Sequence, residues 1–425
     1  MEVNSVFAQF YKNLDVTNTE DIFNKIKRIT KKLNSEFYDT DSETDNCFII
    51  GSFGRNTAIN GVSDLDVIFK LPDDLYTQYN SHQNNGQSAL LQRVKNAVLL
   101  TYPQTNIRGD QVVIVVQFLT FKIEICPAFL NSDGTFTYPD SKSGGSWKVT
   151  KPEQEIAETK EYNEISKGKL IELCRIVRAW KNKFGVQIGG LLIDTLCYNF
   201  LKKNEDFHED GFDEFPSIIV KFFEYLLSFS NEQTYWLAIG SNQKVYKKSN
   251  FRRKASKSVT IAIEAKDNID SHIAYKKYRR LFGRPFPYVE TLLEKAETYS
   301  RTEQFIEDLY PVDIIYSVKI DAIVKQAGFR DTLLSVLNIL RDTRKLSFFI
   351  KSCNVPEPYE VKWKVLNKGD IAKKRDMIRG QIMNDNGTQT RNESSTFNGP
   401  HYVECYVIKD NICVARDRID VEINI

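Results

Sequence analysis

Two aspartates one residue apart, Asp64 and Asp66, close the segment Gly51-Ser52-Phe53-Gly54-Arg55-Asn56-Thr57-Ala58-Ile59-Asn60-Gly61-Val62-Ser63-Asp64-Leu65-Asp66-Val67. Successive side chains on a strand point to opposite sides, so the two carboxylates share one side while Leu65 and Val67 share the other. Carboxylates held side by side raise each other's pKa unless a cation sits between them. The economical reading is a divalent-metal site. Twelve residues before Asp64, the Gly51-Ser52 turn offers backbone N–H groups and a hydroxyl to anionic oxygens. A metal site beside a phosphate cradle is the equipment of nucleotide chemistry.

Two-metal transfer of a nucleotidyl group calls for a third carboxylate, which holds the ion that activates the attacking hydroxyl. Glu124 is the candidate. In Phe121-Lys122-Ile123-Glu124-Ile125-Cys126 the alternate residues Phe121, Ile123 and Ile125 are apolar, so Glu124 faces the side opposite them. It lies 58 residues past Asp66, room for an intervening helix and a return strand beside the first. Taken alone, Glu124 is also what a strand with one solvated face would carry.

These acids need a sheet, and the flanking pattern supplies one. Cys47 to Ile50 reads as a buried strand, Asp64 to Lys70 as the next, stopped by Pro72, and Val112–Leu119 with Phe121–Cys126 as a hairpin or bulged pair meeting near Thr120. Ahead of them, Ile22, Ile26, Ile29, Leu33 and Phe37 recur at spacings of three and four behind Asn18-Thr19-Glu20-Asp21, which predicts an amphipathic helix with a capped start. Residues 131–147 read as loop, with turn chemistry at Ser132-Asp133-Gly134 and Gly144-Gly145-Ser146. After Pro152 the period turns helical: Leu170, Leu173, Cys174, Val177, Trp180 and Phe184 form one stripe, with more helix to about 230 and from about 257 to 282. The organisation expected is a catalytic lobe at 1–165, a helical lobe at 166–295, a connector at 296–345 and a β-rich domain at 346–425. In the last, strand-like runs at 359–366 and 402–425 flank a polar stretch at 384–399.

Composition narrows the class. The 425 residues exceed one ordinary domain, and 58 Lys and Arg nearly balance 56 Asp and Glu, so no global basic field argues for bulk nucleic-acid binding. Seven cysteines form no C-x-x-C pair and only four histidines are present, at 82, 208, 272 and 401, which argues against structural zinc and for reduced core thiols. No signal peptide opens the chain and no apolar run approaches the roughly 18 residues of a membrane span. A soluble, cytoplasmic protein without a membrane partner is expected.

The pattern Gly51-Ser52-Phe53, Arg55, Thr57, Ile59, then Ser63-Asp64-Leu65-Asp66-Val67, and a strand acid ahead of Pro127-Ala128 resembles the bacterial CD-NTases, nucleotidyltransferases related to cyclic GMP–AMP synthase and oligoadenylate synthetase. The resemblance runs on through Gly145-Ser146-Trp147, Arg175-Ile176-Val177-Arg178-Ala179-Trp180-Lys181 and Phe282-Gly283 with Phe286-Pro287, covering about residues 1–290. Most relatives carry Asp where this chain has Glu124, and usually Lys where it has Arg178. The resemblance implies an α+β, bilobed, polymerase-β-like fold, in which a mixed-sheet lobe carries the acids and a helical lobe closes over it. It implies that Asp64, Asp66 and Glu124 hold two Mg²⁺ ions (or Mn²⁺), and that Gly51, Ser52, Arg55 and Ser63 bind nucleotide. Arg175, Arg178 and Lys181 then grip the triphosphate. The implied product is a cyclic oligonucleotide made from NTPs, ATP or GTP among them, that activates a separate effector in CBASS antiphage defence. Pro358 to Asn367, Glu393 with Thr396-Phe397-Asn398-Gly399, His401 to Tyr406 and Ala415 to Ile419 are similar to the adenylyl/guanylyl cyclase and SMODS C-terminal sensor domain.

Several readings stay open at this level. Arg175, Arg178 and Lys181 also suit an exposed basic face, and Gly189-Gly190 a simple turn. The basic stretch from Tyr246 to Lys254 suits either a nucleic-acid activator or a solvated surface. The C-terminal section is equally a packing or oligomerisation module. The rival functions are nucleotidyl transfer to a protein, small molecule or RNA, and a non-catalytic nucleotide sensor.

Overall fold

The computed structural model describes residues 3–61, 64–209, 211–269, 271–287, 303–325, 330–337, 340, 344–367, 371–372, 378–395 and 399–423. The amphipathic stripe forms helix α2 (Thr19–Tyr38), after a shorter α1 (Val3–Lys12). Strand β1 (Cys47–Ile49) leads through a single helical turn, α3 (Gly51–Gly54), to β2 (Asp64–Lys70). Helices α4 (Asp73–Asn80) and α5 (Gly86–Thr101) then carry the chain to β3 (Asn106–Asp110), β4 (Val113–Gln117) and β5 (Lys122–Leu130). The strands lie in the order β1-β2-β5-β4-β3, with β2 and β5 parallel and the other pairs antiparallel. Burial alternates along β2 and β5, as the period of two requires. Leu65, Val67, Phe69, Ile123 and Ile125 pack against the apolar faces of α2 and α5, which leaves the intervening acids on the opposite side of the sheet.

Residues 131–147, expected to be loop, are not wholly so. They contain β6 (Phe136–Asp140) and the start of β7 (Ser146–Thr150), an antiparallel pair in which β6 also joins the end of β5. Alternation fails to signal these strands because Phe136 and the neighbouring Pro139 and Asp140 are all buried; Phe136 closes a small core with Ile68 and Ala128 on the sheet's second face. The expected turns survive at the two ends of β6.

The helical half comprises α6 (Pro152–Ile165), α7 (Lys169–Phe184), α8 (Gly190–Leu201), α9 (Phe215–Ser228), α10 (Arg252–Asp267) and α11 (His272–Phe282), with the two-stranded β8 (Tyr235–Leu237) and β9 (Lys244–Tyr246) between α9 and α10. The helical stretch expected from about 257 to 282 is formed by two helices and begins earlier, at Arg252. The stripe of α7 is buried in this core, and α1 packs there too: Phe7 meets Tyr278 and Phe286, and Phe10 meets Phe282.

Beyond the turn α12 (Ile306–Leu309), the chain is β-rich. One antiparallel sheet orders β11 (Thr332–Leu333), β10 (Val318–Lys325), β12 (Arg344–Cys353) and β15 (Thr390–Ser395); another orders β14 (Arg379–Asn384), β13 (Glu360–Leu366), β16 (Gly399–Lys409) and β17 (Ile412–Ile423). Phe348 and Leu346 of the first share a core with Trp363, Val403 and Val414 of the second. The segment read as a connector thus holds β10, whose alternate residues Val318, Ile320, Ala322 and Val324 are all buried, a spacing that the sequence reading did not use, although Asp321 between them is buried as well. Thr396 to Asn398, part of the C-terminal resemblance, lie outside the described residues.

Candidate active site

The parallel pairing of β2 with β5 sets Asp64 opposite Lys122 and Asp66 opposite Glu124. One carboxylate oxygen from each of Asp64, Asp66 and Glu124 lies within 4.8 Å of the others. The donor set is that of a hard divalent cation, oxygen-only and anionic. Its electrostatics point the same way. Burial, reinforced by Glu124, pushes the Asp66 carboxyl up to about 6 against the pull of Arg55 and Lys122. Burial, Asp313 and Asp66 together raise Asp64 well above the usual carboxylate range. Two aspartates that resist ionisation by themselves are ones that a bound cation would relieve.

One cation is supplied by the chain. Lys122 Nζ lies 2.5 Å from Glu124 Oε1 and 4.0 Å from Asp64 Oδ2, and these neighbours, set against burial, raise its pKa. Gly51 fixes the other side of the site. Its φ is +64°, and a Cβ there would come 2.0 Å from Asp66 Oδ2, so only glycine lets the turn close on that carboxylate. The Ile50 N–H donates to the Asp66 carbonyl at 2.9 Å, and Ser52, the second residue of the helical turn, lines the cleft.

A cleft of about 420 Å³ opens from Asp64 and Asp66 toward the helical half, lined also by Ser52, Lys181, Gly189, Gly190, Lys244, Lys248 and Asp313 among others, while Glu124 is not part of that lining. Arg55 and Arg178 also reach its wall, but their guanidinium groups are engaged. Arg55 Nε donates to Asp194 Oδ2 at 2.8 Å, and Arg178 donates to the two Asp194 oxygens at 2.5 and 2.9 Å. Thr57 Oγ1 adds a bond to Asp194 at 3.1 Å, and Glu155 takes Arg55 at 3.3 Å and the Ser241 hydroxyl at 2.9 Å. Burial pushes Asp194 up, but Arg178 and Arg55 outweigh it and hold the carboxyl at about 2. These two arginines therefore tie the Gly-Ser turn of the sheet lobe to the helical half.

Arg175 does not join them. It is absent from the cleft lining, lies over the Tyr11 ring at 4.4 Å and donates to Asp15 at 2.6 Å. Three residues along a helix turn by nearly a full revolution, yet the long side chain swings toward the α1–α2 connection instead of the cleft. Lys181 does face the cleft, where its ammonium meets Asp313 at 3.1 Å. Ser63 lies outside the described residues. The basic stretch from 246 to 254 is divided: Lys248 lines the cleft, Lys247 donates to the Asn231 carbonyl at 2.6 Å and Lys254 pairs with Asp417 at 2.6 Å.

Sequence reasoning missed Lys122, Asp194, Lys244 and Asp313. A lone acid inside Leu191-Leu192-Ile193-Asp194-Thr195-Leu196 was a usable signal, because a buried carboxylate demands a cationic partner. Asp313 carried none; it reaches the cleft because Asp313 N–H bonds the Cys413 carbonyl at 3.1 Å, docking this stretch along β17.

Residues 1–163 match the family model described as Second Messenger Oligonucleotide or Dinucleotide Synthetase domain, and residues 300–424 that of the Adenylyl/Guanylyl and SMODS C-terminal sensor domain. A probable cyclic nucleotide synthase of Bacillus cereus (strain VD146) is 22% identical over 204 residues, which is 41% of this chain but only 60% of that protein. Among solved structures, CdnC of E. coli MS115-1 in its HORMA-deltaN complex is 16% identical with a TM-score of 0.48, covering 67% of this chain and 98% of CdnC. The Vibrio cholerae di-nucleotide cyclase is 13% identical with a TM-score of 0.46, covering 67% of this chain and 87% of its own. No helix among the described residues is long and apolar enough to cross a membrane.

Proposed function

We propose that this chain, whose residues 1–163 match a second-messenger synthetase domain and residues 300–424 a sensor domain, is a nucleotidyltransferase of the bacterial CD-NTase type that condenses NTPs into a cyclic oligonucleotide second messenger. The observation that carries this reading is the convergence of Asp64, Asp66 and Glu124 from two paired strands, with the two aspartates lining a basic-walled cleft. These three residues would hold two divalent cations, Mg²⁺ or Mn²⁺, which when bound lower the acceptor hydroxyl's pKa and neutralise phosphate charge. Ser52 would donate its hydroxyl to the donor's terminal phosphates. Lys181, Lys244 and Lys248 would supply ammonium groups to the triphosphate from the facing wall. Arg55 and Arg178, held by Asp194, keep that wall in position. A second round at the same centre would close the ring, and the product would activate a separate effector in CBASS antiphage defence.

The test is to incubate the purified chain with four labelled NTPs and Mg²⁺ or Mn²⁺, beside Asp64→Asn/Asp66→Asn. Pyrophosphate release with a phosphatase-resistant product from the unsubstituted chain alone is expected. Product that survives the double substitution refutes the site. Label transferred to a protein or RNA instead of a cyclic product would favour another acceptor, and NTP binding without pyrophosphate release would favour a sensor.

A further inference from the structure

A second cavity, of about 370 Å³, lies between α7, α10 and α11 of the helical half and β16 and β17 of the C-terminal domain. It shares no lining residue with the catalytic cleft. Seven lysine and arginine side chains line it against four carboxylates. The carboxylates are already committed. Asp417 takes Lys254 at 2.6 Å, Asp420 takes Arg418 at 2.6 Å and Arg280 at 3.2 Å, and Glu264 pairs with Lys277. Glu404 takes Arg416 at 3.2 Å and the Tyr406 hydroxyl at 2.7 Å.

Two ammonium groups are less fully engaged. Lys183 reaches only Glu404, at 3.8 Å and shared with Arg416, and Lys257 has no ion pair or hydrogen bond among the described residues. Burial, with Arg416 and Arg418 adding like charge against the pull of Glu404, lowers the Lys183 ammonium to about 8, so its charge is poorly supported by the protein alone. Clefts lined by surplus charge of one sign concentrate counter-ions. Phe184 and Ile261 add an apolar wall, and the volume falls within the roughly 300–1,000 Å³ range of small-molecule sites.

We propose that this inter-domain cavity binds a small organic phosphate of nucleotide size, its phosphates held by Lys183, Lys257, Arg280 and Arg418 and its organic part resting on Phe184 and Ile261. The ligand bridges two domains, so its binding favours whichever arrangement keeps them together. Helix α7 links the two sites: Lys183 and Phe184 line this cavity, and Lys181 of the same helix meets Asp313 in the cleft. A free nucleotide, a cyclic dinucleotide and inorganic pyrophosphate share the phosphate chemistry and differ in the organic part.

The experiment titrates the full chain calorimetrically in EDTA, where metal-dependent binding at the acids is suppressed, with ATP, with cyclic GMP–AMP and with pyrophosphate. Lys257→Glu/Arg280→Glu, both exposed positions, is compared with the cleft variant Lys248→Glu, and thermal unfolding checks that each is folded. The expected result is saturable binding of ATP or cyclic GMP–AMP, weaker binding of pyrophosphate, a loss of at least about tenfold in affinity in the double variant, and retention in Lys248→Glu. Undiminished binding in the double variant, binding lost only in Lys248→Glu, pyrophosphate binding as tightly as the organic ligands, or no binding of any probe at millimolar concentration overturns the proposal. Because the readout needs no product, a failure of the catalytic reading would appear separately as absent pyrophosphate release.

Discussion

Asp66 stands opposite Glu124 while its own carboxylate lies against Gly51, so it gains proximity to a second acid and loses water on the other side. That combination lifts its pKa from 3.8 to about 6. An acid whose folded-state pKa is raised makes the metal-free protein lose stability as pH rises through the window between those two values. A bound metal would remove the penalty. The gain in melting temperature from Mg²⁺ is therefore expected to be larger at about pH 7.5 than at about pH 5, and Asp66→Asn to raise the melting temperature of the EDTA-treated protein at the higher pH while abolishing the Mg²⁺ effect. Differential scanning fluorimetry reads both; an Mg²⁺ gain independent of pH would remove Asp66 from the metal site.

Element by element, the cleft is held open in shape by charge and closed in position by backbone approach. Asp194 of α8, fully buried, joins the turn after β1 to α7 through Arg55 and Arg178. Asp194→Asn leaves two buried guanidinium groups short of their counter-charge, and a cost of about 3–5 kcal/mol is expected in chemical unfolding. A cost under about 1 kcal/mol would mean the network is solvated in solution. At the other end of α7, Gly185 ends the helix at φ +62°, and a Cβ there would sit 2.1 Å from the Arg416 carbonyl oxygen. Gly185→Ala adds left-handed strain of about 1 kcal/mol to a backbone clash between domains. Limited proteolysis is expected to release the C-terminal domain faster from this variant; an unchanged cleavage rate would show that the domains do not meet there.

At the scale of the whole molecule, the C-terminal domain reaches into the cleft. Asp313 places a fourth carboxylate near Asp64 and engages Lys181, while Asn182 and Gln187 donate to the carbonyls of Val312 and Ile315 at 3.3 and 3.1 Å. Asp313 thus withholds a cation from any triphosphate in the cleft and adds negative charge beside it. Asp313→Ala is expected to lower the KM for NTP severalfold, about 1 kcal/mol in binding, with a smaller change in kcat. Steady-state pyrophosphate release measures this, and an unchanged or raised KM would contradict it.

How a residue faces was legible in the chain; whom it meets was not. The period of two in Asp64-Leu65-Asp66-Val67 and Ile123-Glu124-Ile125 was enough to put three acids on one side of a sheet, because alternation is a property of the strand itself. The stripes of α2 and α7 were legible for the same local reason. Nothing local told Arg175 to turn toward Asp15, paired Arg55 with Asp194 139 residues away, or brought Asp313 across 132 residues to Lys181. Buried charges take the partner that packing delivers to them, since an unpaired charge in the interior is costly wherever its counterpart lies in the sequence. The chain by itself therefore determined that three acids share one side of a sheet, and the tertiary structure alone decided which of the surrounding cations are tied down by carboxylates.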